Sequence, residues 1–376
     1  MTDQELRTLL HDAAATLPIP APAAGGSLRA GRRLRRRRRT GVLGGILAVA
    51  VVVAAGGYAA LPHHRGTVAL DPATAPAATE WAVAQGGTVH LGSGAIAHVP
   101  GQVKAIYYTS AGMLVRVGAT AYTDAPDSNY WLAHSDGSVT DFRLALGDRV
   151  PGTDPSLPYL AYAKAGSDAH HWTVVLRDVR TGRVATSIPI TGSFTWGGWV
   201  APPVALSGDH VYVGVDDTLL DVHWRSGEVE RTSVPTYMPE VRAGRDIVPV
   251  RTGVSEAVDL SSGRVLHTFD AGSDSWPHLS TDGTHVLTVP TAVCTEKGGC
   301  SYRGQPARVY DLATGAQTAA PTLRYGAFGW TATGRLLIVD DRTVQSCDPD
   351  TLACQATPVR LSPDAPIRVS GNDNES

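Results

Sequence analysis

Hydrophobic and polar positions divide the chain into three zones with different periods. In the first zone, Leu6, Leu9, Leu10, Ala13 and Leu17 recur at helical spacing and predict one apolar stripe on an amphipathic helix over residues 3–17. Thr2 with Glu5 three positions later fits a capping box at its start, and Pro18, Pro20 and Pro22 end it. The second zone, residues 41–61 (GVLGGILAVAVVVAAGGYAAL), has no polar period and no charge. At 1.5 Å per residue such a helix spans about 30 Å, the thickness of a hydrocarbon core, which predicts a transmembrane helix. Beyond residue 80 the pattern shortens to β-branched and aromatic runs broken by Gly and Asp, the mark of an all-β domain.

One unit recurs in that third zone: an apolar strand ending in Asp, a tight turn with Gly, then a second strand. It reads LRDVRTGRVATSIPI from Leu176, LDVHWRSGEVERTSV from Leu220, AVDLSSGRVLHTF from Ala257 and VYDLATGAQTAAPTL from Val309. Weaker copies start at Gln345, Leu132 and Val89. With Gly94, Gly137, Gly182, Gly227, Gly263, Gly315 and Thr351 as turn markers, the spacings are 43, 45, 45, 36, 52 and 36. A second strand type lies between these hairpins, as in PVALSGDHVYVGV from Pro203 and PHLSTDGTHVLTV from Pro277. A period of about 40 residues with four short strands per unit predicts a β-propeller. The expected fold class is an all-β, seven-bladed β-propeller, with six or eight blades as the alternatives, preceded by one transmembrane helix and a short cytoplasmic helix. These repeats resemble the propeller families that include WD-repeat, quinoprotein-like and surface-layer YVTN-type proteins. The resemblance rests on the D-[LV]-x-[TS]-G-[RE] turns and S-x-D-G-x-x-[VL] strands. The Gly-His and Trp-Asp dipeptides of true WD repeats are missing, and a fold of this kind hosts many functions.

Charge adds a direction. Net charge is −3, but residues 1–40 hold nine Arg against Asp3, Glu5 and Asp12. Seven of them, Arg32, Arg33, Arg35, Arg36, Arg37, Arg38 and Arg39, lie directly before the apolar span. A basic flank of this kind keeps its side of a span in the cytoplasm and attracts anionic lipid headgroups. The remainder of the chain is acidic, which speaks against nucleic acid as a partner. The expected organisation is a cytoplasmic tail at 1–40, the span at 41–61, an extracytoplasmic spacer at 62–79, the propeller at 80–370 and a disordered tail at 371–376. A cleaved signal peptide, with Gly57-Tyr58-Ala59 as the cleavage site, is the alternative to an anchor, but the apolar run exceeds the usual signal length.

All four Cys lie beyond the span, as the close pairs Cys294 with Cys300 and Cys347 with Cys354. In an oxidising compartment two local disulfides are expected, and zinc is the alternative for four Cys, although neither pair forms a CxxC knuckle. No nucleophile elbow, HExxH, P-loop or dinucleotide fingerprint occurs. The remaining chemistry is Asp216-Asp217, Asp340-Asp341, His170-His171 and the aromatic stretch from Phe194 through Trp196 to Trp199. Each has a plainer reading as a turn, surface or packing residue.

No cofactor or metal is expected. The favoured function is a non-enzymatic, membrane-anchored propeller that binds an unidentified extracytoplasmic protein or small ligand. The alternatives are a propeller hydrolase or lyase acting on envelope or sugar substrates, and an inert envelope protein. The head of the chain resembles actinobacterial membrane proteins placed beside extracytoplasmic-function sigma factors. That resemblance implies a sigma-factor regulator as the cytoplasmic partner, although the His-with-CxxC zinc signature of anti-sigma factors is missing from residues 1–40. The apolar stripe of Leu6, Leu9, Leu10, Ala13 and Leu17 is the docking candidate, with a frayed tail or a helix resting on the membrane surface as its plainer reading.

Overall fold

A computed structural model describes residues 79–372, except 122–127, 148, 150, 167, 169, 196–199, 236–238, 252, 271–274, 291, 295–299, 303–306, 321, 322, 325 and 364. The helix expected at 3–17, the Arg run, the span at 41–61 and nearly all of the spacer lie outside the described residues.

The strands follow one another blade by blade. Blade 1 begins with β1 (Ala82–Gln85), β2 (Thr88–Leu91) and β3 (Ile96–His98), and blade 2 holds β4 (Gln102–Thr109), β5 (Gly112–Gly118), β6 (Asn129–Ala133) and β7 (Val139–Ala145). Blade 3 comprises β8 (Gly152–Thr153), β9 (Tyr159–Ala165), β10 (His171–Asp178) and β11 (Val184–Thr191). Blade 4 comprises β12 (Val204–Ser207), β13 (His210–Val215), β14 (Thr218–His223) and β15 (Glu228–Pro235). Blade 5 shows β16 (Arg245–Arg251), β17 (Val254–Asp259) and β18 (Arg264–Asp270). Blade 6 has β19 (Ser275–Leu279) and β20 (His285–Pro290), an inserted hairpin of β21 (Ala292–Cys294) and β22 (Cys300–Tyr302), then β23 (Arg308–Asp311) and β24 (Gln317–Ala319). Blade 7 runs β25 (Phe328–Trp330), β26 (Leu336–Val339), β27 (Thr343–Cys347) and β28 (Cys354–Pro358). The last strand, β29 (Ile367–Val369), returns to pair with β1, Val83 facing Val369.

Each of the seven sheets is an antiparallel meander, and β29 makes the first blade four-stranded by joining the two ends of the domain. That closure was not read from the sequence, because β29 and β1 are near the two ends of the domain and carry no mutual signature. Two other departures concern the blades. Blade 5 has three strands where four were expected: its innermost position is held by a segment making a single bridge, Arg242 with Arg245. The 52-residue interval arises because the β21–β22 hairpin is inserted between the second and third strands of blade 6.

The core lies between blades. Seven apolar clusters are present among the described residues, and each joins one pair of neighbouring blades. Period-two alternation explains this: on β9, Leu160 faces blade 2 while Ala161 faces blade 4, and on β10, Val175 and Val174 do the same. Strands buried on both faces therefore read as unbroken apolar runs such as LLIV in β26.

The recurring turn closes the two outer strands of each blade. In blades 3, 5, 6 and 7 the Asp ending the third strand (Asp178, Asp259, Asp311, Asp348) accepts hydrogen bonds from the N–H or hydroxyl groups two or three residues on. Its own carbonyl accepts the N–H four residues on, at 2.8 Å from Gly182, Gly263, Gly315 and Leu352. That fifth residue must turn left-handed (φ +66° at Gly263), which glycine does without a Cβ clash. In the last blade the left-handed residue is Leu352 (φ 53°), not the Thr351 used above as marker. Cys347 and Cys354 pair directly across this turn and form a disulfide, so zinc does not hold them. Backbone register also places Cys294 opposite Cys300 on the inserted hairpin.

Candidate functional site

Antiparallel strands put the turns between first and second and between third and fourth strands at one end of the propeller. The turns between second and third strands, and the connections between blades, emerge at the other end. The two ends differ in chemistry.

At the first end every blade junction is hydrogen-bonded. Ser110 N–H donates to Leu157 O at 3.0 Å, Gly208 N–H to Asp154 Oδ2 at 2.8 Å, and Gly244 N–H to Ser207 Oγ at 3.0 Å. Arg245 donates to Gly283 O, Thr281 Oγ1 to Thr331 O, and Ala332 N–H to Glu80 O. The last junction is a chain: Ala82 N–H donates to Ser370 Oγ (2.9 Å), which meets Tyr108 Oη (2.7 Å), which donates to Trp330 O (2.8 Å). Inner strands also touch: a Cβ on Gly152 would come within 2.7 Å of Leu206 N, so β8 and β12 approach at a distance only glycine permits. This end is a rigid base.

The opposite end carries Asp216-Asp217, Asp340-Asp341, His170-His171 and Phe194, whereas the Cys347–Cys354 disulfide closes a third-to-fourth turn at the base. Asp216 and Asp217 form the two-residue turn between β13 and β14, with φ of 51° and 56°, as a type I′ hairpin demands. Asp216 Oδ1 accepts Ser193 N–H at 2.7 Å and Oδ2 accepts Arg231 at 2.8 Å. Ser193 N–H and the Arg231 guanidinium hold the Asp216 carboxyl below its ordinary range. His170 Nδ1 lies 3.1 Å from Ser193 Oγ, and His171 Nδ1 lies 2.7 Å from Asp168 Oδ1. The His171 hydrogen bond lowers the Asp168 pKa. Blades 3 and 4 are thus clasped by Asp216 on Ser193, with His170 and Arg231 bracing the two partners, while Asp168 with His171 stays within blade 3; both carboxylates are engaged by protein donors. Phe194 packs edge-on against Trp172 at 6.2 Å, which is the blade-packing reading of that stretch, while Trp196 and Trp199 lie outside the described residues. Asp340 caps its own turn by accepting Arg342 and Thr343 N–H. Asp341 takes Arg324 at 2.5 Å, and Arg324 also donates to Pro363 O, tying three connections together. The inserted hairpin with Cys294 and Cys300 emerges here too. The structure therefore brings these sequence candidates to one face, but not into one cluster, and gives the Asp pairs turn-forming roles. Among the described residues no group of three or more His, Cys, Asp or Glu could hold a metal ion.

Sequence reasoning missed the most exposed large apolar side chain. Trp276, on the inner strand β19 beside Val289 at the end of β20, is 63% exposed. Val250, at the end of β16, and Val200, in the connection from blade 3 to blade 4, are exposed on the same face. The three follow one another around blades 4, 5 and 6. The other exposed large apolar residues (Ile96, Val184, Val229, Val265) sit on outer strands, each two positions after its turn glycine. The signal for Trp276 was a Trp in a polar, proline-bearing approach to a strand, SDSWPHL, which composition alone does not separate from core.

No protein-family model and no curated protein matches this chain in sequence. It is similar in structure to the β-propeller domain of Cps50 (Swd1) from Myceliophteria thermophila, at 11% identity over 69% of this chain and 98% of that one, with a TM-score of 0.39. It is also similar to hydrazine synthase from Kuenenia stuttgartiensis (15% identity, 66% and 77% of the two chains, TM-score 0.43). A third is TolB from Acinetobacter baumannii (11% identity, 78% and 66%, TM-score 0.39). The fold and the blade count rest on the strand order of this chain.

Proposed function

We propose that the chain is a membrane-anchored binding propeller, with residues 41–61 as its span, that engages an extracytoplasmic partner through the face bearing the inter-blade connections. One observation carries the reading: Trp276 stands 63% exposed on an inner strand, with Val250 and Val200 exposed at the same end of the propeller in ring order. A side chain of that size left in water costs the free protein and gives a partner a large apolar anchor. The carboxylates of Asp168, Asp216, Asp340 and Asp341 on this face are engaged by Arg, His and backbone donors, which favours recognition over acid–base chemistry. The basic, helix-forming head supports the further reading that residues 3–17 report to a cytoplasmic regulator such as a sigma factor.

The test is affinity capture from membranes with the full chain, Trp276→Ala and Ile96→Ser, alongside a form lacking residues 1–30. An envelope protein retained by the full chain and Ile96→Ser but lost with Trp276→Ala supports the binding face. A cytoplasmic protein lost only on removing 1–30 supports the signalling arm. Equal capture by Trp276→Ala and the full chain defeats the first claim, and release of the chain from membranes by carbonate defeats the anchor.

A further inference from the structure

The one blade that lacks a paired inner strand also contains a fully buried carboxylate. Asp246, the second residue of β16, is 0% exposed. Its direct cross-strand partner Val258 and its same-face neighbour Val248 belong to the apolar cluster that joins blades 4 and 5, with Ala205, Tyr212 and Val241. Asp246 Oδ1 accepts Ile247 N–H at 2.9 Å and Glu240 N–H at 3.1 Å, and Oδ2 has no hydrogen-bond partner in the protein. Glu240 lies in the segment that stands where the inner strand would be, just before the Arg242–Arg245 bridge. In the other six blades backbone pairing holds the innermost strand; here the two backbone hydrogen bonds of the Arg242–Arg245 bridge and the Asp246 side-chain oxygen take its place.

We propose that Asp246 is a proton-operated latch at the junction of blades 4 and 5, holding the inner segment of blade 5 closed while its carboxyl is neutral and loosening it once ionised. A neutral acid fits an apolar cluster at modest cost. A carboxylate with two N–H donors and no cation does not, and it gains by letting water reach it. The way out is short, because only Arg245 separates Asp246 from the two-residue Ala243-Gly244 turn that ends the inner segment.

The surrounding charges do not relieve the burial. Tyr212 on β13 is close enough to feel Asp246, and His210 of β13, Asp221 of β14 and Asp259 of β17 group around that same phenol, while Glu240, Arg242 and Arg245 lie on the hairpin of Asp246. Arg245 reaches away to Gly283 O. Burial raises the Tyr212 phenol above its ordinary range, and Asp221, Asp246 and Asp259 add to that, so Tyr212 supplies no charge to the site. Burial likewise pushes the Asp246 carboxyl up to about 7. A folded-state value above the unfolded one means the closed form binds the proton more tightly. Closure is then strongest in acid and weakens as pH climbs from the unfolded value, near 4, to the folded one, with no further loss beyond it.

Hydrogen exchange by mass spectrometry on the intact protein tests this, with rates corrected for intrinsic chemistry. Protection of residues 239–250 is expected to fall at least about tenfold between pH 5 and pH 8 and to level off above, while blade 1 stays flat. In Asp246→Asn, which keeps the acceptor oxygen but cannot ionise, the slope should vanish. Wild-type protection in 239–250 that is flat over this range overturns the latch, a result that does not depend on the variant folding. The same slope in Asp246→Asn assigns the effect to another group, such as His210, and overturns it equally.

Discussion

Ring closure predicts a measurable coupling. The Tyr108 hydroxyl has one proton, and it goes to Trp330 O, so Ser370 Oγ donates to Tyr108 while accepting Ala82 N–H. This buried chain joins blades 7, 1 and 2 at the point where the two ends of the domain meet. Tyr108→Phe removes two hydrogen bonds and strands Trp330 O. Stranding Trp330 O costs about 1–3 kcal/mol and the second lost bond about 1, so the cost is about 2–4 kcal/mol. Ser370→Ala strands Ala82 N–H and should cost about 2 kcal/mol on the same basis. Members of one polarised chain are not independent, so the double variant should fall short of the sum by about 1 kcal/mol. Urea denaturation of the purified full chain reads all three values. With a slope of about 3 kcal/mol/M for a domain of this size, Tyr108→Phe should lower the midpoint by roughly 0.8 M with the slope unchanged. A shift below about 0.2 M, or additivity within about 0.3 kcal/mol, refutes the closure chain.

Two further outcomes follow from the turns and inner strands. Gly263→Ala and Gly152→Ala are the same substitution with different physics. A Cβ at Gly263 meets open space, so only the left-handed backbone matters and the loss should be about 1 kcal/mol. At Gly152 it meets the β12 backbone, so the inner strands must separate and the loss should reach about 3 kcal/mol by chemical denaturation. Equal losses contradict the close approach of β8 and β12. Asp259, held down to about 2 by the Ser261 and Ser262 hydroxyls, contributes stability above its unfolded value that fades as pH falls from near 4 towards 2. Asp259→Asn should therefore flatten acid unfolding in that window and leave the pH 7 to 8 behaviour alone, as followed by circular dichroism.

Much of the propeller is legible in the chain because its repeating element is local. An Asp that caps its own turn and a glycine four residues later are decided within five residues, so the seven hairpins and the blade period could be counted directly. The turn roles of Asp216-Asp217 and Asp340 are local in the same way. The departures at Leu352 and in blade 5 came where a local rule was met by an unexpected residue or left unfulfilled. Leu352 takes a left-handed backbone usually reserved for glycine while its side chain packs against the cluster of blades 6 and 7.

Sequence alone determined the period, the all-β class, the turn chemistry and the placing of charge around one apolar run. Tertiary structure decided what depends on distant residues meeting. It paired β29 with β1, gathered the second-to-third turns and the connections on one face, and left Trp276 in water while burying Asp246. The physical reason is that a strand specifies which of its residues alternate, through the backbone pleat, but not which neighbour each face will meet. That is set only when seven sheets close into a ring and every face must find a partner.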